Sequence, residues 1–462
     1  MSTFPVGRRF LRVLSADPLD LYPEFMQGAI AAGNRVTAEA GARVLAEGGN
    51  AVDACIAAAF AAAVTEGPLT GPAGGGFLLA WVDGKVCVLD CFFAAPTRPL
   101  GEMEEVVVDF GDASTQVFHV GEGSVAVPGL VAGLEEAHRR FASVSWAQLV
   151  EPAIELAERG LDATEVQLFL HLILTGILQR DEGGRRIYGV SGRIETADFV
   201  PTLERIRDAG SKAVAELIPE LADDIAAYRV ATPEPLRARV GALEVLTTPA
   251  PSRGGAIVAA ALERLATAET LDERARALQH GYESAPPLAV AGTTHISVID
   301  ANGNAAALSS TLGSGSGVFR GGTQLNNMLG ELDVIGHAPN APGERLASMM
   351  TPTLVLENGR PRLVLGSAGS VRLAGAIAQV ADTVLRGTPV EEAIERPRIH
   401  VDGDVLHLEG GLTELAPEGW KTVRWAGRNL YFGGVAAVAR DADGSLAAAG
   451  DSRRDGHGIV VG

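Results

Sequence analysis

The sequence predicts a layered α/β fold, on three observations. Strand patterns come in two clusters, one near residues 77–90 and one after residue 292, and helix patterns accompany both. Turns built from Gly, Asn and Asp separate these elements. No internal repeat or low-complexity tract interrupts them.

The first helix pattern runs from Thr37 to Leu45 and stops at Gly48-Gly49-Asn50, a strong C-terminal signal. Ala51 to Thr65 reads as a second helix whose small residues suit close packing in a core. A glycine-rich loop, Gly71 to Gly76, leads into a hairpin with strands at Phe77–Val82 and Lys85–Asp90 about an Asp83-Gly84 turn. Helices are expected at Val131–Phe141 and at Trp146–Arg159, the second closed by Gly160. The stretch 161–245 reads as mostly helical, on the apolar spacing from Leu168 to Ile177. Strand patterns resume at Thr294–Ile299, Asn304–Ser310, Thr353–Leu356 and Arg362–Leu365. Helices at Arg372–Arg386 and Val390–Glu395 then precede short strands at His400–Asp402, Val405–Leu408, Gly434–Arg440 and Ser445–Ala449.

Composition narrows the function classes. The 462 residues are 47% hydrophobic and 21% charged, ordinary values for a globular protein. A net charge of −19 and a pI near 5.0 argue against nucleic-acid and anionic-membrane partners. Cys55, Cys87 and Cys91 show no metal-ligand spacing and read as reduced thiols, and the nine histidines are scattered, so no metal site is expected. Arg8-Arg9 is followed by no hydrophobic segment and no apolar run is long enough to span a bilayer, so a cytoplasmic location is expected. The Gly74-Gly75-Gly76 loop lacks the strand and downstream acid of a dinucleotide fingerprint, and no cofactor is expected.

Gly292-Thr293-Thr294-His295 is the stretch that carries chemistry. It sets a hydroxyl after a glycine, at the head of a strand, deep within the chain. Cleavage of the Gly292–Thr293 bond makes Thr293 an N-terminus with its own base, because a free α-amine has a pKa of about 7.7–8.0. The strand, the Asp300-Ala-Asn-Gly303 turn and the returning strand bring back Thr311, whose hydroxyl is placed to hold the first by a hydrogen bond. Downstream, Leu363-Val-Leu365 runs through Gly366-Ser-Ala-Gly369-Ser370 into a helix, a geometry that aims backbone N–H groups at a developing oxyanion. His295 points away from Thr294 and reads as structural.

With these residues in view, the chain resembles the γ-glutamyltranspeptidase family of N-terminal-nucleophile hydrolases. The landmarks are Glu47-Gly-Gly-Asn-Ala-Val-Asp53, Gly74-Gly-Gly-Phe77, Val127-Pro-Gly129, Pro249-Ala-Pro-Ser-Arg-Gly-Gly255, Thr293-Thr-His295, Leu325-Asn-Asn327, Ser348-Met-Met-Thr-Pro-Thr353 and Gly366-Ser-Ala-Gly369, in order along most of the chain. The resemblance implies a four-layer αββα sandwich with a helical middle section. It also implies a precursor cut between Gly292 and Thr293 into segments 1–292 and 293–462, which stay together as a heterodimer and can assemble further.

By the same resemblance, Thr293 and Thr311 are catalytic and Gly369 with Ser370 form the oxyanion pair. Phe92, Gly313, Asn327, Glu331, Ser348 and Met349 fall at the substrate-binding positions. Several of these depart from the family pattern. Phe92 stands where the family has an arginine that clamps the α-carboxylate of the glutamyl group, and a phenyl ring cannot replace a guanidinium. Gly313 replaces an asparagine, Met349 the second of two serines, and Ser370 the second oxyanion glycine. Arg253 and Arg320 are the candidates for a substitute clamp. The segment from Asn327 to Ser348 is shorter than in members with a covering lid loop, which implies an open site.

The expected function is therefore self-processing hydrolysis of a small-molecule amide with altered acyl specificity. Three alternatives stand beside it. They are the family's own glutathione hydrolysis and γ-glutamyl transfer, carbon–carbon bond hydrolysis of the alkylproline-biosynthesis kind, and an unprocessed, non-catalytic binding protein.

Overall fold

A computed structural model of the protein describes residues 28–109, 115–189, 192–285, 292–332 and 340–462. Two six-stranded antiparallel sheets lie face to face. In the first the order is His457–Val461, Gly28–Ala32, Thr294–Ile299, Ala305–Thr311, Gly75–Val82 and Lys85–Cys91. In the second it is Leu446–Gly450, Gly434–Arg440, Arg360–Ala368, Thr353–Glu357, Leu243–Thr247 and Leu236–Val240. Small and branched residues such as Ala29, Ala31 and Ala307 meet Leu354, Val364 and Val438 between the sheets.

Each outer face is covered by helices. Arg35–Ala46, Ala51–Thr65, Leu130–Phe141 and Trp146–Arg159 pack on the first sheet. Gly254–Leu265, Leu271–Ser284, Leu373–Leu385 and Val390–Glu395 pack on the second. The architecture is thus the four-layer αββα sandwich. The Ala51–Thr65 helix is buried along its whole length, as its alanine content requires. An Asn50/Asp53 capping box begins it, and Asp53 also accepts from the Ser143 hydroxyl (2.6 Å), tying the cap to the next helical hairpin.

The structure differs from the sequence expectation in several places. Gly28–Ala32 and His457–Val461 are strands that the pattern does not announce; the first is Gly-Ala-Ile-Ala-Ala, buried on both faces, so no polar residue alternates with an apolar one. The end of the stretch read as helical is a hairpin, Leu236–Val240 and Leu243–Thr247, at the edge of the second sheet. A further hairpin, Glu104–Asp109 with Thr115–Val120, and the Gly254–Leu265 and Leu271–Ser284 helices also lie outside the expected elements. Between residues 165 and 227 the described residues are mostly helical as expected, with a two-residue strand at Arg193–Ile194. No helix among the described residues is long and apolar enough to cross a membrane.

Candidate active site

Thr293 is delivered by the register of the first sheet. The Thr294–Ile299 strand lies between Gly28–Ala32 and Ala305–Thr311, and every one of its residues is buried. Its return is fixed at Asp300, whose carboxylate accepts from the Asn302 and Asn304 backbone amides (2.9 and 3.0 Å) and from the Ala51 amide at the head of a helix (3.0 Å). Thr294 then pairs with Ser310, so Thr311 arrives beside the Gly292–Thr293 bond.

The geometry at that bond is specific. Gly292 has φ +52°, and a Cβ there would fall 2.0 Å from the Gly313 carbonyl oxygen, so only glycine fits. The Thr311 hydroxyl donates to the Gly292 carbonyl oxygen and accepts from the Gly313 amide (2.8 Å). Thr311 therefore polarises the carbonyl of the Gly292–Thr293 bond rather than holding the Thr293 hydroxyl, which was the sequence expectation. The Thr293 hydroxyl is buried and has no hydrogen-bond partner among the described residues. It is uncommitted in a place where uncommitted polar atoms are rare.

Gly313, Asn327 and Glu331 converge behind this bond. Asn327 Oδ1 accepts from the Ser314 and Gly315 amides (2.8 and 3.1 Å), and its Nδ2 donates to Ser314 Oγ (2.6 Å). Glu331 Oε1 accepts from the Ser314 amide and hydroxyl, both at 3.0 Å. A Cβ on Gly313 would meet Asn327 Oδ1 at 2.2 Å, so the glycine permits this packing. Part of the short segment that follows, residues 333–339, lies outside the described residues.

The stretch expected to supply the oxyanion pair lies at the end of the Arg360–Ala368 strand. Gly369 has φ +131° and Ser370 φ +60°, a left-handed conformation that costs a serine energy and turns the chain sharply into the Leu373–Leu385 helix. Ser370 and Gly292 line the same cleft.

Two buried polar systems flank the Thr294–Ile299 strand. Thr294 donates its hydroxyl to Glu66, which also accepts from Thr37 (2.8 Å). Burial pushes Glu66 up to about 7, with help from the Asp455 carboxylate and against the pull of the two hydroxyls. On the opposite face, His295 shares hydrogen bonds with Ser309 (2.8 Å) and Ser297 (2.9 Å), and burial drives it down to about 3. His295 is a neutral packing residue, as its place on the strand predicts.

A cleft opens beside Gly292. Phe118, Leu170 and Leu174 give it an apolar wall, Trp425 and Tyr431 an aromatic one, and Arg372 and Arg454 its charge. A smaller chamber adjoining it contains Thr293, Thr294 and Glu66, and Arg454 lines that chamber too. Phe92, Ser348 and Met349 line neither space. Phe92 is closed into an apolar cluster with Phe77, Phe93 and Met328, stacked on Phe77 at 5.4 Å. Met349 packs in the helix-covered core of the second sheet, and Ser348 caps its own turn by accepting from the Met350 amide (3.1 Å). Of the two candidate clamps, Arg320 is spent on Glu122 (2.9 Å) and Glu220 (2.7 Å), and Arg253 begins the Gly254–Leu265 helix away from the cleft. Arg372 and Arg454 are far apart in sequence, and only the fold brings them to one cleft.

The two packed sheets, the helical covers and a strand headed by threonine define the fold of the N-terminal-nucleophile hydrolases. The gamma-glutamyltranspeptidase profile matches residues 37–213 and 267–461, so the chain belongs to that family. It is 28% identical over 531 aligned positions to the Acylase ACY 1 proenzyme of Pseudomonas sp. (strain SE83), with 94% of each chain covered. The Glutathione hydrolase proenzyme of Pseudomonas aeruginosa is similar to the same degree, 28% identical with 94% of each chain covered. The structure of this chain is similar to that of the cephalosporin acylase from Bacillus halodurans, with a TM-score of 0.76 at 21% identity, covering 96% of this chain and 99% of that one. The protein is an enzyme, a divergent amidohydrolase or acylase proenzyme of this family.

Proposed function

We propose that this enzyme cuts itself between Gly292 and Thr293 and then uses Thr293 to hydrolyse a small-molecule amide other than the usual γ-glutamyl kind. The observation that supports it most is the threonine pair: an uncommitted Thr293 hydroxyl beside a carbonyl that Thr311 already polarises.

In processing, the Thr293 oxygen adds to the Gly292 carbonyl carbon and its proton passes to the departing Thr293 nitrogen. The amide becomes an ester between Gly292 and Thr293 Oγ1. Water hydrolyses the ester, leaving a Gly292 carboxylate and a free Thr293 α-amine. Segments 1–292 and 293–462 remain associated as one heterodimer. In turnover, the α-amine accepts the hydroxyl proton while Oγ1 attacks the substrate carbonyl. The Gly369 and Ser370 amides stabilise the oxyanion, the leaving amine takes the proton, and water discharges the acyl-enzyme. Altered specificity follows from Phe92, which sits in a closed apolar cluster at the position of the expected arginine. Losing such a charge-assisted clamp costs a few kcal/mol of transition-state binding, so γ-glutamyl amides are poor substrates.

The test is active-site titration with acyl 4-nitroanilides. The reading predicts a burst of about one equivalent of nitroaniline, with the acyl mass on the peptide that begins at Thr293. An acyl group found on any other residue would overturn it.

A further inference from the structure

Among the described residues, two carboxylates line the small chamber that holds Thr293, and they are held in opposite ways. Asp451 is bonded to Arg398 and to Arg453 (3.0 Å). Glu66 is buried and its oxygens accept from hydroxyls, Oε1 from Thr37 (2.8 Å) and Oε2 from Thr294. Thr37 is braced in turn by Thr65 (2.7 Å). Gly33 makes the room for this arrangement, since a Cβ there would fall 2.5 Å from both Glu66 Oε2 and the Thr294 hydroxyl oxygen.

The charged and titratable groups around Glu66 leave its proton in place. Asp455, bonded to Asn34 (2.9 Å), opposes a second negative charge nearby. His457, which begins the edge strand, acts on Asp455. His171 lines the adjoining pocket from the Glu165–Ile173 helix, and burial lowers it to about 4, so it is neutral near pH 7. His295, at about 3, is neutral as well. Arg454, the one arginine lining the chamber, donates to the Leu430 carbonyl (3.3 Å) and leaves the oxygens of Glu66 to the hydroxyls. Burial therefore dominates and pushes Glu66 up to about 7.

A free α-amine titrates at about 7.7–8.0, close to that value. Cleavage after Gly292 would place such an amine in this chamber, one residue from the threonine bonded to Glu66. A carboxyl and an amine of similar proton affinity in one buried space titrate as a pair. We propose that Glu66 and the α-amine of Thr293 hold one proton between them in the processed enzyme, and that Glu66 is thereby the positioning residue that sets the pH at which the nucleophile is armed. The proton has two places. On Glu66 it leaves a free amine that can accept from Oγ1; on the amine it leaves a Glu66 carboxylate and a disarmed nucleophile. An ionised Glu66 stabilises the ammonium, so the amine stays protonated to higher pH than it would beside a neutral residue. The inference rests on the reading of Thr293 as the N-terminal nucleophile.

Competitive acetylation with acetic anhydride, followed against pH by mass spectrometry of the peptide that begins at Thr293, measures the amine directly. Glu66→Gln should lower its apparent pKa by about half a unit or more, and the acid limb of kcat/KM for an acyl 4-nitroanilide should move down with it. Glu66→Asp, which restores the charge, should bring the limb back toward wild type. Thr37→Val keeps Glu66 but withdraws a hydrogen bond from its carboxylate. It should lower the amine in the same direction by less, and it carries the test if Glu66→Gln does not fold. An amine that titrates in both variants as it does in the wild type overturns the inference and leaves the nucleophile standing. So does a loss of kcat at every pH with the limb unmoved, the mark of a merely structural role. A wild-type protein that yields no peptide beginning at Thr293 overturns the inference together with the reading beneath it.

Discussion

At Gly292 two independent constraints meet, a positive φ and a carbonyl oxygen where a side chain would be. Gly292→Ala must swing the peptide away, and with it the carbonyl that Thr311 holds. A left-handed alanine alone costs about 1 kcal/mol, before the clash is counted. Self-cleavage of Gly292→Ala is expected to slow at least tenfold, read as the rate at which uncut chain disappears after synthesis in vitro. Thr311→Ala removes a donor from the carbonyl under attack, a loss typically worth about a hundredfold or more. Thr311→Ser should restore most of that rate, because the hydroxyl rather than the methyl makes the bond. The hydroxyl pair is legible in sequence from hairpin length. Its bonding is not, because which acceptor Thr311 finds depends on the Gly313 turn that closes over it.

Between elements, the Glu66 carboxyl joins the end of the Ala51–Thr65 helix to Thr37 on the preceding helix and Thr294 on the Thr294–Ile299 strand. Its folded pKa, about 7, lies above an ordinary value of 4.5. The protonated form is the one the fold prefers. The stability it brings is therefore complete below about pH 4.5 and is lost as pH rises through about 7, by up to about 3 kcal/mol. Glu66→Gln keeps the shape and removes the titration. Relative to wild type, the variant should gain stability between pH 4.5 and pH 7.5 in urea unfolding; a constant difference across that range would refute the buried proton. Sequence patterns find this helix and strand readily, through alanine content and alternation. They cannot find Glu66, because its partners come from separate elements and nothing in the local pattern marks the residue as buried.

At the scale of the molecule, the proposed cut would separate strands that are neighbours in both sheets. In the first sheet Gly28–Ala32 from the larger segment lies between His457–Val461 and Thr294–Ile299 from the smaller. In the second sheet Leu243–Thr247 from the larger pairs with Thr353–Glu357 from the smaller. Each segment would expose hydrophobic sheet faces without the other, so the fragments should elute together at the mass of one whole chain and separate only on denaturation. Motifs along the chain reveal the layered fold and the Thr294–Ile299 strand, since both depend on local order. Arg372 and Arg454 meet at one cleft only once the chain is folded, and the all-small Gly28–Ala32 strand appears only once both its faces are seen to be covered.

Denaturing intact-mass spectrometry of the wild-type protein beside Thr293→Ala tests the central claim most directly. The account predicts two wild-type fragments that meet between Gly292 and Thr293 and sum to the 47.8 kDa chain plus one water, and a single uncut chain for the variant. An uncut wild-type chain, or a variant cut at the same bond, would contradict it.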